Sequence, residues 1–126
     1  MKKTFLSSQA KEFRIKYNLK NSHSKRQRTH QKNLIVEEFK EFLAAEGELW
    51  HKNPTYPSEA LKELADLVYV CYQYAENMGW FLDEALDRVH ASNMSKLGED
   101  GLPVYREDVK VLKGPNYQPP TLTDLV

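Results

Sequence analysis

Glu37-Glu38-Phe39-Lys40-Glu41 and, twenty-one residues later, Glu63-Leu64-Ala65-Asp66 decide how the rest of the chain is read. Each segment sets two carboxylates three residues apart within an apolar helical pattern. Positions i and i+3 share a helix face, so Glu38 pairs with Glu41 and Glu63 with Asp66. Leu34, Glu38, Glu41 and Ala45 form one stripe; Glu63, Asp66, Val70 and Tyr74 form another. The acids therefore interrupt stripes that should be buried. Burying an unpaired carboxylate is costly, so something cationic must meet them. Oxygen ligands from two facing helices suit a hard cation such as Mg²⁺ or Mn²⁺.

The flanking sequence supplies the helices. A first helix is expected over residues 7–18, capped by Ser7 or Ser8. Turn formers Asn21 to Ser24 and the basic cluster Lys25, Arg26, Arg28 follow. A second helix should run from Thr29, as cap, to about Glu46, with Ile35, Phe39 and Phe42 as its core stripe and Gly47 at its end. Pro54 and Pro57 break the next segment. The third helix, opening at Ser58 and stopping at Gly79, has apolar residues on nearly every side and should be central. A fourth covers about Leu82 to Lys96, with Asp83 and Glu84 where the helix dipole favours them. Beyond Gly98, two short extended runs around Glu107-Asp108 suggest a small hairpin, followed by a stiff loop, Lys113 to Pro120, and a tail. The expected fold is all-α: a four-helix bundle with a small C-terminal hairpin and loop appendage.

With 126 residues, the chain should form one domain, 1–126, with a basic N-terminal helix and arm (1–32) and the C-terminal appendage (98–126). No apolar run suits a membrane span, and the apolar centre near the N-terminus is too short for a signal peptide. One cysteine, Cys71, excludes an intramolecular disulfide and fits a cytoplasmic protein, with a core role for Cys71. Net charge is zero but unevenly spread: residues 1–32 carry +9 and residues 33–126 carry −9. The basic cluster lacks interleaved aromatics and any nucleic-acid motif, which argues against a nucleic-acid partner.

The EExxE…ExxD pattern resembles the all-α nucleoside triphosphate pyrophosphohydrolases, which include MazG-like enzymes, phosphoribosyl-ATP pyrophosphohydrolases and dimeric dUTPases. Leu67 to Val70, Asn93-Met94-Ser95-Lys96 and Lys113-Gly114-Pro115-Asn116-Tyr117 extend the resemblance over about residues 30–120. The last two segments are similar to MazG-like and phosphoribosyl-ATP-type members from bacteriophages. Val109 departs from the pattern, standing where those enzymes prefer glycine, and the basic arm lies outside it.

The resemblance implies a MazG-like fold and cleavage of a nucleoside triphosphate between the α- and β-phosphates, giving monophosphate and diphosphate. Glu38, Glu41, Glu63 and Asp66 would hold Mg²⁺ or Mn²⁺, neutralising the polyphosphate and acidifying a bound water. Glu37 and Glu38 are the candidate catalytic pair, with Glu37 orienting the water or taking its proton. Asn93, Lys96, Lys113, Asn116 and Tyr117 are candidate substrate-binding residues. Trp50 and Trp80 are stacking candidates or core residues, and His30 and His51 structural ones. A bundle this small leaves the cleft open, and relatives close it as homodimers or homotetramers.

Three functions compete. The first is a phage enzyme of the deoxynucleotide pool, in the host cytoplasm, acting on a purine such as dGTP. The second is hydrolysis of phosphoribosyl-ATP. The third is a non-catalytic binding or dimerisation module whose acids form salt bridges. That last reading requires basic partners, and the nearby Lys40 and Lys62 lie off the acidic stripes.

Overall fold

In a computed structural model, residues 5–126 are described; Lys2 and Lys3 of the basic arm lie outside them. The described residues are helical throughout their regular structure, with four α-helices and no named strand, which bears out the all-α expectation. They divide into two compact units, the first ending at Trp80 and the second running from Phe81 to Val126.

The first unit contains α1 (Leu6–Lys16), α2 (Lys25–Gly47), a 3₁₀ turn (Glu48–Trp50) and α3 (Tyr56–Met78). As expected for a central helix, α3 packs against both α1 and α2. Its end is set locally. Gly79 has φ +74°, Gly79 N–H donates to Glu76 O and Trp80 N–H to Ala75 O. Those two bonds satisfy the terminal carbonyls, and the left-handed conformation explains the glycine. Asn18, at φ 54°, ends α1 the same way, with Leu19 N–H donating to Arg14 O at 2.8 Å.

Several boundaries differ from expectation. Ser7 and Ser8 do not cap α1; they lie inside its first turn, with Phe5 at the cap position. Thr29 does not cap α2. Ser24 does, its hydroxyl accepting from Gln27 N–H, so the helix starts earlier and takes in Lys25, Arg26 and Arg28. Gly47 is right-handed, and α2 tightens into the 3₁₀ turn rather than reversing. Tyr56, not Ser58, opens α3, with Pro57 in its first turn, where a missing N–H costs nothing.

A buried polar network ties α1 to α3. Arg14 and Asn77 are 4% and 0% exposed. The Arg14 guanidinium donates to Asn21 Oδ1 (2.7 Å), Asn77 Oδ1 (3.2 Å), Lys20 O (3.3 Å) and Gln73 Oε1 (3.4 Å). Asn77 also donates to Ser22 O and accepts from Ser22 N–H. Burial pushes the Arg14 pKa down, opposed by the charge of Glu76. Neutral acceptors thus do most of the work of holding a buried cation.

The core stripe expected on α2 is only partly covered. Phe39 is 48% exposed, and Val36 and Leu43 are similarly open. On α3, Leu61, Leu64, Val68 and Tyr69 are exposed, so its all-round apolar character is not consumed within the unit. Trp50 is almost wholly exposed, which removes it from the core. His30 and His51 are exposed as well.

In the second unit, α4 (Leu82–Met94) stops two residues short of Lys96. The expected hairpin reduces to a single antiparallel bridge, Tyr105 with Val111. Its turn places Val109 at φ 58°. The C-terminal residues are not a free tail. Thr123–Leu125 form a 3₁₀ turn, Leu125 is buried, and Arg88 on α4 grips both carboxylate oxygens of Asp124.

Candidate metal centre

Two facing helices bring the acids together in the first unit. Glu38 and Glu41 project from α2, Glu63 from α3, and one carboxylate oxygen of each lies within 4.8 Å of the others. Glu41 is exposed, whereas Glu38 and Glu63 are half-buried. Glu38 Oε2 and Glu63 Oε2 are buried without a hydrogen-bond partner. Such atoms are costly to leave bare, and a divalent cation satisfies them without a proton donor.

Electrostatics agree with geometry. The Glu38 pKa is raised, first by burial, then by its hydrogen bond with Glu41 and the charges of Glu41, Asp66 and Glu63. Like charges this close resist common ionisation, which is the condition a bound cation relieves.

Asp66, the fourth expected ligand, is not in that cluster. Lys62 Nζ sits 2.8 Å from Asp66 Oδ2 and 3.5 Å from Glu63 Oε1. This corrects the sequence reading, which placed Lys62 off the acidic stripe. A lysine at i−4 is long enough to reach round the helix to the acid. Lys62 is two-thirds exposed, so the pair is a weak one. No cation lies within ion-pair distance of Glu38 or Glu41 among the described residues. Glu37 is exposed on α2 beside Glu38 and outside the three-carboxylate group.

The remaining candidates belong to the second unit. Asn93 is exposed in the last turn of α4, and Lys96 follows one turn on. Lys113 Nζ lies 4.8 Å from the centroid of the Tyr117 ring and Lys96 Nζ 6.0 Å from it. Asn116 is exposed in the turn between Gly114 and Tyr117. Gly114 makes this arrangement possible: its N–H donates to Lys96 O, and a Cβ there would stand 2.4 Å from Leu97 O. Two serines that sequence reading left without a role fasten the loop. Ser92 Oγ donates to Gln118 O at 2.7 Å, and Gln118 N–H donates to Ser95 Oγ. Spacing alone gave no sign of them, because their partner is over twenty residues away.

Residues 8–93 match the sequence model of a family described as phosphoribosyl-ATP pyrophosphohydrolase. The match covers about two thirds of the chain and all four helices except the first two residues of α1 and the last of α4. It starts earlier than the resemblance drawn from sequence, so α1 and much of the basic arm fall inside it. It ends at Asn93 and does not reach Lys96, Lys113, Asn116 or Tyr117. No curated protein matches the chain. Among the described residues no helix is long and apolar enough to cross a membrane.

Proposed function

The chain belongs to the phosphoribosyl-ATP pyrophosphohydrolase family, and from that premise we propose that it hydrolyses a nucleoside triphosphate between its α- and β-phosphates with a divalent metal ion. The observation that carries the proposal is the convergence of Glu38, Glu41 and Glu63, two of them with bare, buried oxygens. Mg²⁺ or Mn²⁺ fits an all-carboxylate donor set better than softer ions. When bound, such an ion supplies charge neutralisation and a more acidic water. Glu38, Glu41 and Glu63 would hold it. Asp66 would join them by exchanging its exposed lysine partner for the metal. Glu37 would orient the attacking water and take its proton. Asn93, Lys96, Lys113, Asn116 and Tyr117 would bind substrate, the two lysines around Tyr117 offering charge to phosphate.

The substrate we favour is a deoxynucleoside triphosphate, with a purine such as dGTP first, in a phage setting suggested by the residues around Asn93 and Gly114. Phosphoribosyl-ATP is the second reading, carried by the family's own description. The non-catalytic module is disfavoured because Glu38 and Glu41 lack the basic partners it requires. Self-association into a homodimer or homotetramer is proposed on the exposed apolar residues of α2 and α3.

The test is product analysis. The chain is incubated with Mg²⁺ or Mn²⁺ and each ribo- and deoxynucleoside triphosphate, and with phosphoribosyl-ATP. Monophosphate plus pyrophosphate is expected from at least one of them. Orthophosphate plus nucleoside diphosphate would assign a different bond, and no cleavage of any would overturn the reading.

A further inference from the structure

We propose that a cavity beside the metal centre, walled by α1, α2 and α3, receives the nucleobase of the substrate, with Gln31 as the group that selects it. The proposal rests on the hydrolase reading above and adds a specificity-determining residue to it. The cavity has a volume of about 530 Å³ and lies wholly within the first unit. Phe13 and Tyr69 supply aromatic rings, Leu34 and Val70 supply apolar wall, and the exposed Lys20, Arg26 and His30 add basic groups to the lining. No carboxylate lines it. A flat heterocycle is the ligand such walls suit.

Gln31 makes the cavity more than a packing gap. It is 5% exposed, lines the cavity, and its Oε1 is buried with no hydrogen-bond partner. An amide oxygen left bare in this way loses the free energy of the missing bond, unless a ligand supplies the donor. Every nucleobase can do so, adenine, cytosine and guanine through an exocyclic amino group and guanine, thymine and uracil through a ring N–H, but each at a different point on its edge, so one fixed acceptor distinguishes them. A phosphate ester near neutral pH is a poor partner by comparison, because with a second pKa of about 6 its oxygens are mostly deprotonated acceptors. Arg14, buried in the same wall, is fixed by four acceptors and cannot swing in to replace the ligand.

Position along the helices supports the assignment. Gln31 precedes Glu38 by seven residues, which is two turns and about 10 Å along one face of α2. Val70 follows Asp66 by one turn on α3. A nucleotide extended along these two helices would place its base at Gln31 and its phosphates at the carboxylates.

The test uses the full chain without metal, titrated with the nucleoside 5′-monophosphates of the common bases and followed by calorimetry. Saturable binding with a preference among bases is expected. Gln31→Met keeps the side-chain length but removes the acceptor; it should weaken the preferred monophosphate about tenfold and level the preference. Its melting temperature should equal or exceed that of the parent, since a bare buried acceptor is lost. No binding by the parent, an unchanged preference in Gln31→Met, or a large loss of stability in that variant would each overturn the proposal. Triphosphate cleavage with an unchanged base preference would remove the cavity and leave the hydrolase reading standing. Base-selective binding without cleavage of any triphosphate would do the reverse.

Discussion

At the residue scale the chain spends stability on its acids. Glu38 sits where burial and three neighbouring carboxylates all oppose its ionisation. Glu38→Gln should therefore abolish hydrolysis yet raise the stability of the metal-free chain by roughly 1 kcal/mol, read as an increased denaturant midpoint. A pH dependence follows from the same shift. The ordinary value is 4.5, and folding raises it. The folded chain thus holds the proton to higher pH than the unfolded chain does. Metal-free stability should fall as pH rises from 4.5 through the raised value, and then level off. Asp108 and Asp124 act in the opposite sense and lower down, since their arginine partners depress their values below 3.8. Melting curves in chelator, compared between the parent and Glu38→Gln, isolate the upper window; the difference should vanish at low pH. Val109 is the other strained residue. A β-branched side chain at φ 58° costs about 1–2 kcal/mol, so Val109→Gly should raise the melting temperature without changing turnover.

At the element scale, what could be read from sequence was what is encoded within one or two helical turns. Carboxylates at i and i+3, Gly79 beyond an apolar run, and the acids in the first turn of α4 all declare themselves locally. The start of α2 did not. Ser24 and Thr29 are both competent caps, and three cations in a first turn run against the dipole, which disguised that turn as loop. Helical position alone puts Lys62 off the acidic stripe, and the reach of its side chain is what brings it to Asp66. The cavity at Gln31 and the network at Arg14 were invisible, since each joins residues from helices far apart in sequence. That network makes a prediction for the element it anchors. Asn77→Ala would leave Arg14 and Ser22 N–H short of an acceptor in a buried site. It should cost about 2–4 kcal/mol, with hydrogen exchange accelerated most in α1.

At the scale of the whole molecule, the exposed apolar residues of α2 and α3 are the surface on which the proposed self-association is tested. Sedimentation should show a dimer or tetramer, and Phe39→Asp together with Leu61→Asp should shift it toward monomer while unchanged helicity by circular dichroism reports a retained fold. If the proposed association forms, the N-terminal excess of positive charge and the acidic remainder predict that it weakens with added salt, which sedimentation at two ionic strengths checks. The central claim, however, concerns the acids that converge between α2 and α3. Crystals grown with Mn²⁺ and measured at its absorption edge test it most directly. An anomalous peak within coordination distance of Glu38, Glu41 and Glu63 is the predicted result; full occupancy of Mn²⁺ elsewhere, with those three carboxylates bare, would contradict it.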